Sequence, residues 1–284
     1  LQPLALKIDV DTYEGMRTGV PRILRVLGEE GILASFFISF GPDRSGLAAL
    51  QLLRPRFLLK MIRTNAPAMY GLKTAFYGTI LPAPMIGSSF ADLLLQIREI
   101  GHEVACHAWD HRLWQDWLGF MTTSGIQRWF ENMVDSYTGI LGERPSAFGA
   151  PGWRIDRRAL EQVARLGLSY LSCTRADRPF VFMENGMLEI PSNLPCIEEV
   201  GTSRVIQELD RRKDSGLFQV LPVHAEVEGG MYLDDFRRII DTASRCEYRF
   251  VRLCEIESSL DRDNIEIRGL KEALLPGRAF KCAV

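Results

Sequence analysis

The 284-residue chain is poor in histidine, with four, and none of its six cysteines, at 106, 173, 196, 246, 254 and 282, forms a Cys-x-x-Cys pair. That spacing offers neither a structural zinc site nor a disulfide framework, and it suits free thiols in a reducing cytoplasm. Neither charge dominates: 34 Lys plus Arg face 36 Asp plus Glu, for a net charge of -2. A general polyanion-binding surface is therefore not expected, nor is nucleic acid as a partner. No stretch approaches the ~20 uninterrupted apolar residues of a membrane span, so membrane contact is expected to be peripheral. The opening Leu1-Gln2-Pro3 lacks the pattern of a secretory signal and leads at once into a strand-like run; the absence of an initial Met leaves a missing or processed start open. There is no internal repeat and no low-complexity run.

What is present is a large apolar fraction, 46% of residues, enough for one sizeable core and a single domain over 1–284. Short β-rich runs alternate with amphipathic helical patterns. The strand-like runs are Leu4–Val10, Ala34–Phe40, Glu103–His107, Ala147–Ala150, Ser169–Cys173, Leu217–His224 and Tyr248–Leu253. Between and after them lie helical patterns at Val20–Glu30, Asp92–Ile100, Ile126–Leu141, Arg157–Leu166, Val205–Arg212, Leu233–Ala243 and Glu255–Leu260. The rhythm predicts an α/β fold with a parallel sheet and crossover helices, closed or nearly closed into a (β/α) barrel. Residues 41–90 break the rhythm, and a segment that long is usually an insertion with a purpose. Within it Arg54–Arg63 mixes cations with large apolar side chains, followed by Met69–Lys73 and the apolar Ala75–Met85. Such a surface either lies against anionic lipid and guides a polyprenyl chain, or packs on the barrel with its cations solvated.

Three polar clusters each follow a strand-like run: Asp9-Val10-Asp11, His107-Ala108-Trp109-Asp110-His111 and Leu221-Pro222-Val223-His224. On an extended strand, Asp9 and Asp11 point the same way, so two carboxylates share one pocket. A helical turn beginning at His107 would put His107 and His111 on one side. Two imidazoles and one carboxylate leave coordination positions open for water and substrate, as a catalytic metal site requires. The alternatives are blander: strand-terminating Asx turns for the carboxylates and backbone-satisfied interior histidines. His102, ahead of its strand, reads as structural.

These motifs, in this order, resemble the polysaccharide deacetylase (NodB-homology) family. Ile8-Asp9-Val10-Asp11-Thr12, His107–His111, Gly152-Trp153-Arg154 and His224-Ala225-Glu226-Val227-Glu228-Gly229 look like its branch of bacterial deformylases acting on 4-deoxy-4-formamido-L-arabinose phosphoundecaprenol. The resemblance covers nearly the whole chain and implies a distorted (β/α)7 barrel. It implies a metal held by Asp11, His107 and His111, with Asp9 as general base and His224 as general acid. The ligand types favour zinc, and also suit cobalt, manganese, nickel or iron. Glu226 and Glu228 would orient His224, bind the sugar or simply be solvated. Asp110 would support its loop or hydrogen-bond a ligand imidazole.

Two positions depart from the family pattern. Gly149 stands where an Arg usually steadies the catalytic carboxylate; Arg154 would take over that task or bind a phosphate through its fork. Cys173 stands where related deformylases carry Asp, leaving Arg175 as a candidate phosphate anchor. Trp153 would floor a sugar pocket or pack in the core. The resemblance implies hydrolysis of the formamide on an undecaprenyl-phosphate-linked sugar, at the cytoplasmic face of the bacterial inner membrane, for lipid A modification and resistance to cationic peptides such as polymyxin. The rival activities are N-deacetylation of an acetamido sugar, oxygen chemistry at an iron facial triad, and lipid-glycan binding without turnover. A facial-triad oxygenase would call for a jelly-roll strand pattern that this chain lacks.

Overall fold

A computed structural model describes residues 1–47, 76–278 and 280–284. The expected lipid-facing stretches at 54–63 and 69–73 lie outside the described residues.

The first strand, β1 (Pro3–Val10), forms because its even-numbered residues Leu4, Leu6, Ile8 and Val10 are all apolar and all buried against the surrounding helices. Its odd-numbered residues Ala5, Lys7 and Asp9 face the other way. The same alternation builds β2 (Ser35–Ser39), β3 (Glu103–Ala108), β4 (Ala147–Phe148), β5 (Tyr170–Leu171) and β8 (Gln219–His224). Phe36, Ile38, Val104, Cys106, Phe148, Leu171, Leu221 and Val223 belong to the outer core, while Phe37, Ala105, Ala147, Tyr170 and Val220 belong to the interior.

The sheet runs in the order β10-β6-β7-β5-β4-β3-β2-β1-β8, with β6 (Phe180–Phe182), β7 (Leu188–Glu189) and β10 (Ile267–Arg268) at one end. β9 (Arg249–Val251) pairs with the lower end of β1. All pairings in this sheet are parallel except β6 with β7. Residues 190–194 bring the two ends together. On one side the N–H groups of Ile190 and Ser192 donate to the carbonyls of Leu171 and Thr174, at 2.8 and 3.0 Å. On the other, the Leu194 N–H donates to the Val220 carbonyl at 3.2 Å. The Asn193 carboxamide accepts from the Val220 N–H at 2.8 Å. The circuit β1-β2-β3-β4-β5-β7-β8 is thus the expected distorted seven-stranded (β/α) barrel, sewn shut by a segment without regular strand structure.

Helices cover the outside. Val20–Glu29 starts with Pro21 in its first turn and buries Val20, Ile23, Val26 and Leu27, one stripe at helical spacing. Thr123–Leu141 begins three residues before its apolar pattern does, because the Thr122 hydroxyl caps it by accepting from the Gly125 N–H. Gly142, at φ 73, ends it in the left-handed region.

Candidate active site

Asp9, His107 and His224 sit at the carboxyl ends of β1, β3 and β8, and Asp11 and His111 follow just beyond. Asp9 and His224 are register partners across the β1–β8 pairing, which explains how residues so distant in sequence meet. His107 and His111 converge differently from the single helical turn expected. His107 is still in the strand, pointing inward two residues after Ala105, and His111 opens the helix His111–Trp117. The reversal between them is fixed by Asp110, whose side chain caps that helix by accepting from the Leu113 N–H at 2.8 Å. Its other oxygen pairs with Arg44 at 3.0 Å, so Asp110 braces the loop.

The Asp11 carboxylate lies between the two imidazoles: Oδ1 is 3.1 Å from His107 Nε2 and Oδ2 is 3.2 Å from His111 Nε2. One ligand atom from each residue can be chosen so that all three lie within 4.8 Å of one another. Ligand atoms around a tetrahedral zinc, at about 2.0–2.2 Å from the ion, stand roughly 3.3–3.6 Å apart. Asp11 Oδ1 is buried and has no hydrogen-bond partner among the described residues. Burial pushes the His111 imidazole down to about 4 against the pull of Asp11, leaving its lone pair available at neutral pH. Burial alone would raise the Asp11 carboxyl, but His111 and His107 hold it below the usual carboxylate range. Donor types and spacing fit a divalent metal ion, as do the directions in which Asp11 and His111 are shifted.

Glu226 anchors the carboxylate from behind. Its Oε1 accepts from the Asp11 N–H at 3.0 Å, the Thr12 N–H at 2.7 Å and the Thr12 hydroxyl at 2.8 Å. A side chain at Gly15 would put its Cβ 2.0 Å from that same oxygen, so the loop needs glycine there. Burial, reinforced by Asp11, raises the Glu226 carboxyl to about 8.

His224 Nδ1 lies 2.9 Å from Glu198 Oε2, and its backbone N–H donates to Glu228 at 2.8 Å. Burial disfavours the imidazolium, but Glu198 outweighs it and raises the group to about 10. His224 is therefore protonated at neutral pH, with Nε2 as the remaining donor. Trp153 meets the ring edge-on at 6.1 Å. It is 2% exposed, donates to the Ser192 hydroxyl at 3.3 Å, and carries the guanidinium groups of Arg175 and Arg278 at 4.8 and 4.5 Å from its ring. Trp153 thus lies packed between His224 and these two cations.

Arg175 commits its fork to Glu199 at 2.7 Å and to the carbonyls of Ser192 and Leu194, bracing the segment that closes the barrel. Arg154 does not take over the role of an Arg at position 149. Its guanidinium bonds the Gln115 carbonyl, and its own carbonyl accepts from Trp114. The cation beside Asp9 is instead Lys7, whose ammonium lies 2.6 Å from both carboxylate oxygens. The signal in the sequence for Lys7 is that it shares the odd-numbered, inward parity of Asp9 and Asp11. Glu198, Glu199 and Arg278 carry no comparable signal, since only the closure of the barrel brings them to the site.

The sequence matches the polysaccharide deacetylase family over residues 4–171. A protein of Shewanella sediminis described as a probable 4-deoxy-4-formamido-L-arabinose-phosphoundecaprenol deformylase is 34% identical over 279 residues, covering 94% of this chain and 92% of that protein. One of Wigglesworthia glossinidia brevipalpis with the same description is 29% identical, covering 93% and 96%. Among solved structures, one from Mycobacterium smegmatis described as a polysaccharide deacetylase superposes with a TM-score of 0.65 at 17% identity, covering 96% of this chain and 94% of that one. The chain belongs to the polysaccharide deacetylase family. It is a hydrolase of carbon–nitrogen bonds other than peptide bonds.

Proposed function

We propose that this chain, acting as one catalytic unit, hydrolyses the formamide of 4-deoxy-4-formamido-L-arabinose carried on undecaprenyl phosphate. It would do so with one divalent metal ion held by Asp11, His107 and His111. The observation that carries this reading is the convergence of those three donors, around a buried Asp11 oxygen without a hydrogen bond, in a chain so similar to proteins described as deformylases of that lipid. Zinc is the first choice on ligand type, with cobalt, manganese, nickel or iron as alternatives. When bound, the ion supplies Lewis acidity toward the acyl oxygen and acidifies the attacking water.

The remaining steps fall to side chains. Asp9 accepts a proton from the attacking water as its oxygen adds to the formyl carbon. His224, held as imidazolium by Glu198, donates from Nε2 to the sugar nitrogen as the carbon–nitrogen bond breaks. Formate and a free amine result, and the amine becomes cationic at neutral pH. That change of charge suits a lipid A modification that weakens attraction for cationic peptides. Among the described residues no helix is long and apolar enough to cross a membrane. We place the enzyme at the cytoplasmic face of the inner membrane as a peripheral partner, because its substrate carries a polyprenyl chain.

The test is to incubate metal-loaded protein with the formamido-arabinose polyprenyl phosphate and with its acetamido analogue, with and without chelator. Chelator-sensitive release of formate alone is the expected result. Preferential release of acetate would make the protein a glycan N-deacetylase, a competitor that differs by one methyl and by about 1–3 kcal/mol of pocket discrimination. Release of neither would favour lipid-glycan binding without turnover or a different substrate.

A further inference from the structure

Lys7 is fully buried in the interior of the barrel, an unusual position for a lysine. Its Nζ sits 2.6 Å from each oxygen of Asp9, and this is its one ion pair among the described residues. The rings of Phe37 and Trp153 face the ammonium at 4.7 and 5.7 Å. Two other titratable groups, Glu189 and the Cys173 thiol, lie near enough to be lowered by its charge. Glu189 has committed Oε1 to the N–H groups of Cys173 and Thr174 and to the Thr174 hydroxyl, at 2.7, 2.7 and 2.9 Å. The stem of Lys7 fits because position 149 has no side chain. A Cβ there would lie 2.8 Å from the Phe37 ring and 3.1 Å from Lys7 Cε.

We infer that Lys7 is a positioning residue for hydrolysis, clamping both oxygens of the Asp9 carboxylate in the space that Gly149 leaves open. A carboxylate turns easily about its last torsion, which is broad and roughly two-fold. A cation equidistant from both oxygens removes that freedom, and the rings of Phe37 and Trp153 keep the cation from moving away. Asp9 Oδ1 is then held 3.9 Å from His107 Nδ1, beside the metal-binding cluster. An ammonium buried this deeply needs a counter-charge, so the two residues fix each other. The inference rests on Asp9 acting as the base in the proposed reaction.

The test uses full-length, metal-loaded protein with two probes, the formamido-arabinose lipid and an activated formyl ester. Lys7→Met is expected to lower kcat by about 100-fold, the effect of misplacing a reacting group by about an ångström. KM should stay within about threefold and zinc content should be unchanged, which separates lost positioning from lost binding. Lys7→Arg should recover most of the kcat. Should Lys7→Met fail to fold, the double variant Lys7→Met/Asp9→Asn leaves no unpaired buried charge, and its kcat should equal that of Asp9→Asn alone. A Lys7→Met enzyme within about threefold of the parent kcat would overturn the inference, as would a double variant about tenfold slower than Asp9→Asn. A parent enzyme that cleaves the ester but not the lipid would end the substrate proposal, and the Lys7 comparison would still be decided on the ester.

Discussion

Two polar clusters lie inside the same barrel, and they are built to opposite standards. At the bottom, both Glu103 oxygens are satisfied: Oε2 accepts from the Ser35 hydroxyl at 2.6 Å and the Cys254 N–H at 3.1 Å, and Oε1 accepts from the Tyr170 hydroxyl at 2.8 Å. The Ser35 hydroxyl in turn accepts from the Leu253 N–H at 2.8 Å. The first N–H groups of the helix Leu253–Ser259 thus find their acceptors there. At the top, Asp11 Oδ1, His107 Nδ1 and Glu226 Oε2 are equally buried and have no hydrogen-bond partner among the described residues. A satisfied network rigidifies a fold, whereas buried groups without partners are costly and call for an explanation. The bottom cluster is a plug. The top one is poised for a ligand.

Substitutions can break that contrast. The largest effect is expected from His107→Ala/His111→Ala, which should remove stoichiometric metal as measured by atomic absorption, and formate release with it. Unchanged metal content would mean that the unpartnered atoms do not mark the site. Next, Asp9→Asn or His224→Ala should keep the metal and lower kcat by ~10²–10⁴-fold, the usual weight of a general base or acid. Glu226→Ala, which removes the oxygen that holds the Asp11 loop, should weaken metal affinity by about 10–100-fold in a competition titration.

The bottom cluster should respond in a different currency. Glu103→Ala is expected to cost about 2–3 kcal/mol of stability, read as a lower denaturation midpoint, while kcat stays within about threefold of the parent. A large loss of kcat in a folded Glu103→Ala protein would erase the distinction between plug and site. The smallest effect concerns pH. His224 is raised from 6.5 to about 10 by Glu198, so the imidazolium pair contributes its full stability below about 6.5 and loses it as pH rises through about 10. The alkaline limb of kcat should follow that loss. In Glu198→Gln it should move to lower pH by roughly 1–3 units, as expected when an adjacent opposite charge is removed. An unmoved limb would remove Glu198 from the acid's environment.

The barrel was legible because strand-like runs such as Leu4–Val10, Ala34–Phe40 and Leu217–His224 alternate with amphipathic helical patterns, a rhythm that calls for a parallel sheet with crossover helices whatever the tertiary detail. Asp9 and Asp11 were legible as a same-facing pair from the two-residue period of an extended strand, and His107 and His224 from their place after strand-like runs together with the family resemblance. His111 was placed correctly by an incorrect route. Four-residue spacing suggests a helix, but here the strand continues to Ala108 and a capped turn intervenes. Lys7 was hidden because lysine in a strand ordinarily faces water, and only the closed barrel makes its inward parity a burial. Glu198, Arg278 and the true partners of Arg154 and Arg175 depend on how the chain closes at 190–194, which no local pattern encodes.

Finally, the pairing of β1 with β8 bears on the order in which this molecule can be made. β1 pairs on one side with β2, which follows soon after, and on the other with Gln219–His224, more than 200 residues later. Until that segment emerges, one edge of β1 stays open, and Asp11 and Thr12 lack Glu226 to hold them. Contacts so remote in sequence make folding slow and leave incomplete chains prone to association through the open edge. A nascent chain halted before residue 219 would hold Asp9, Asp11, His107 and His111 without their finished geometry, so metal capture by the mature site waits for the segment that carries His224 and Glu226.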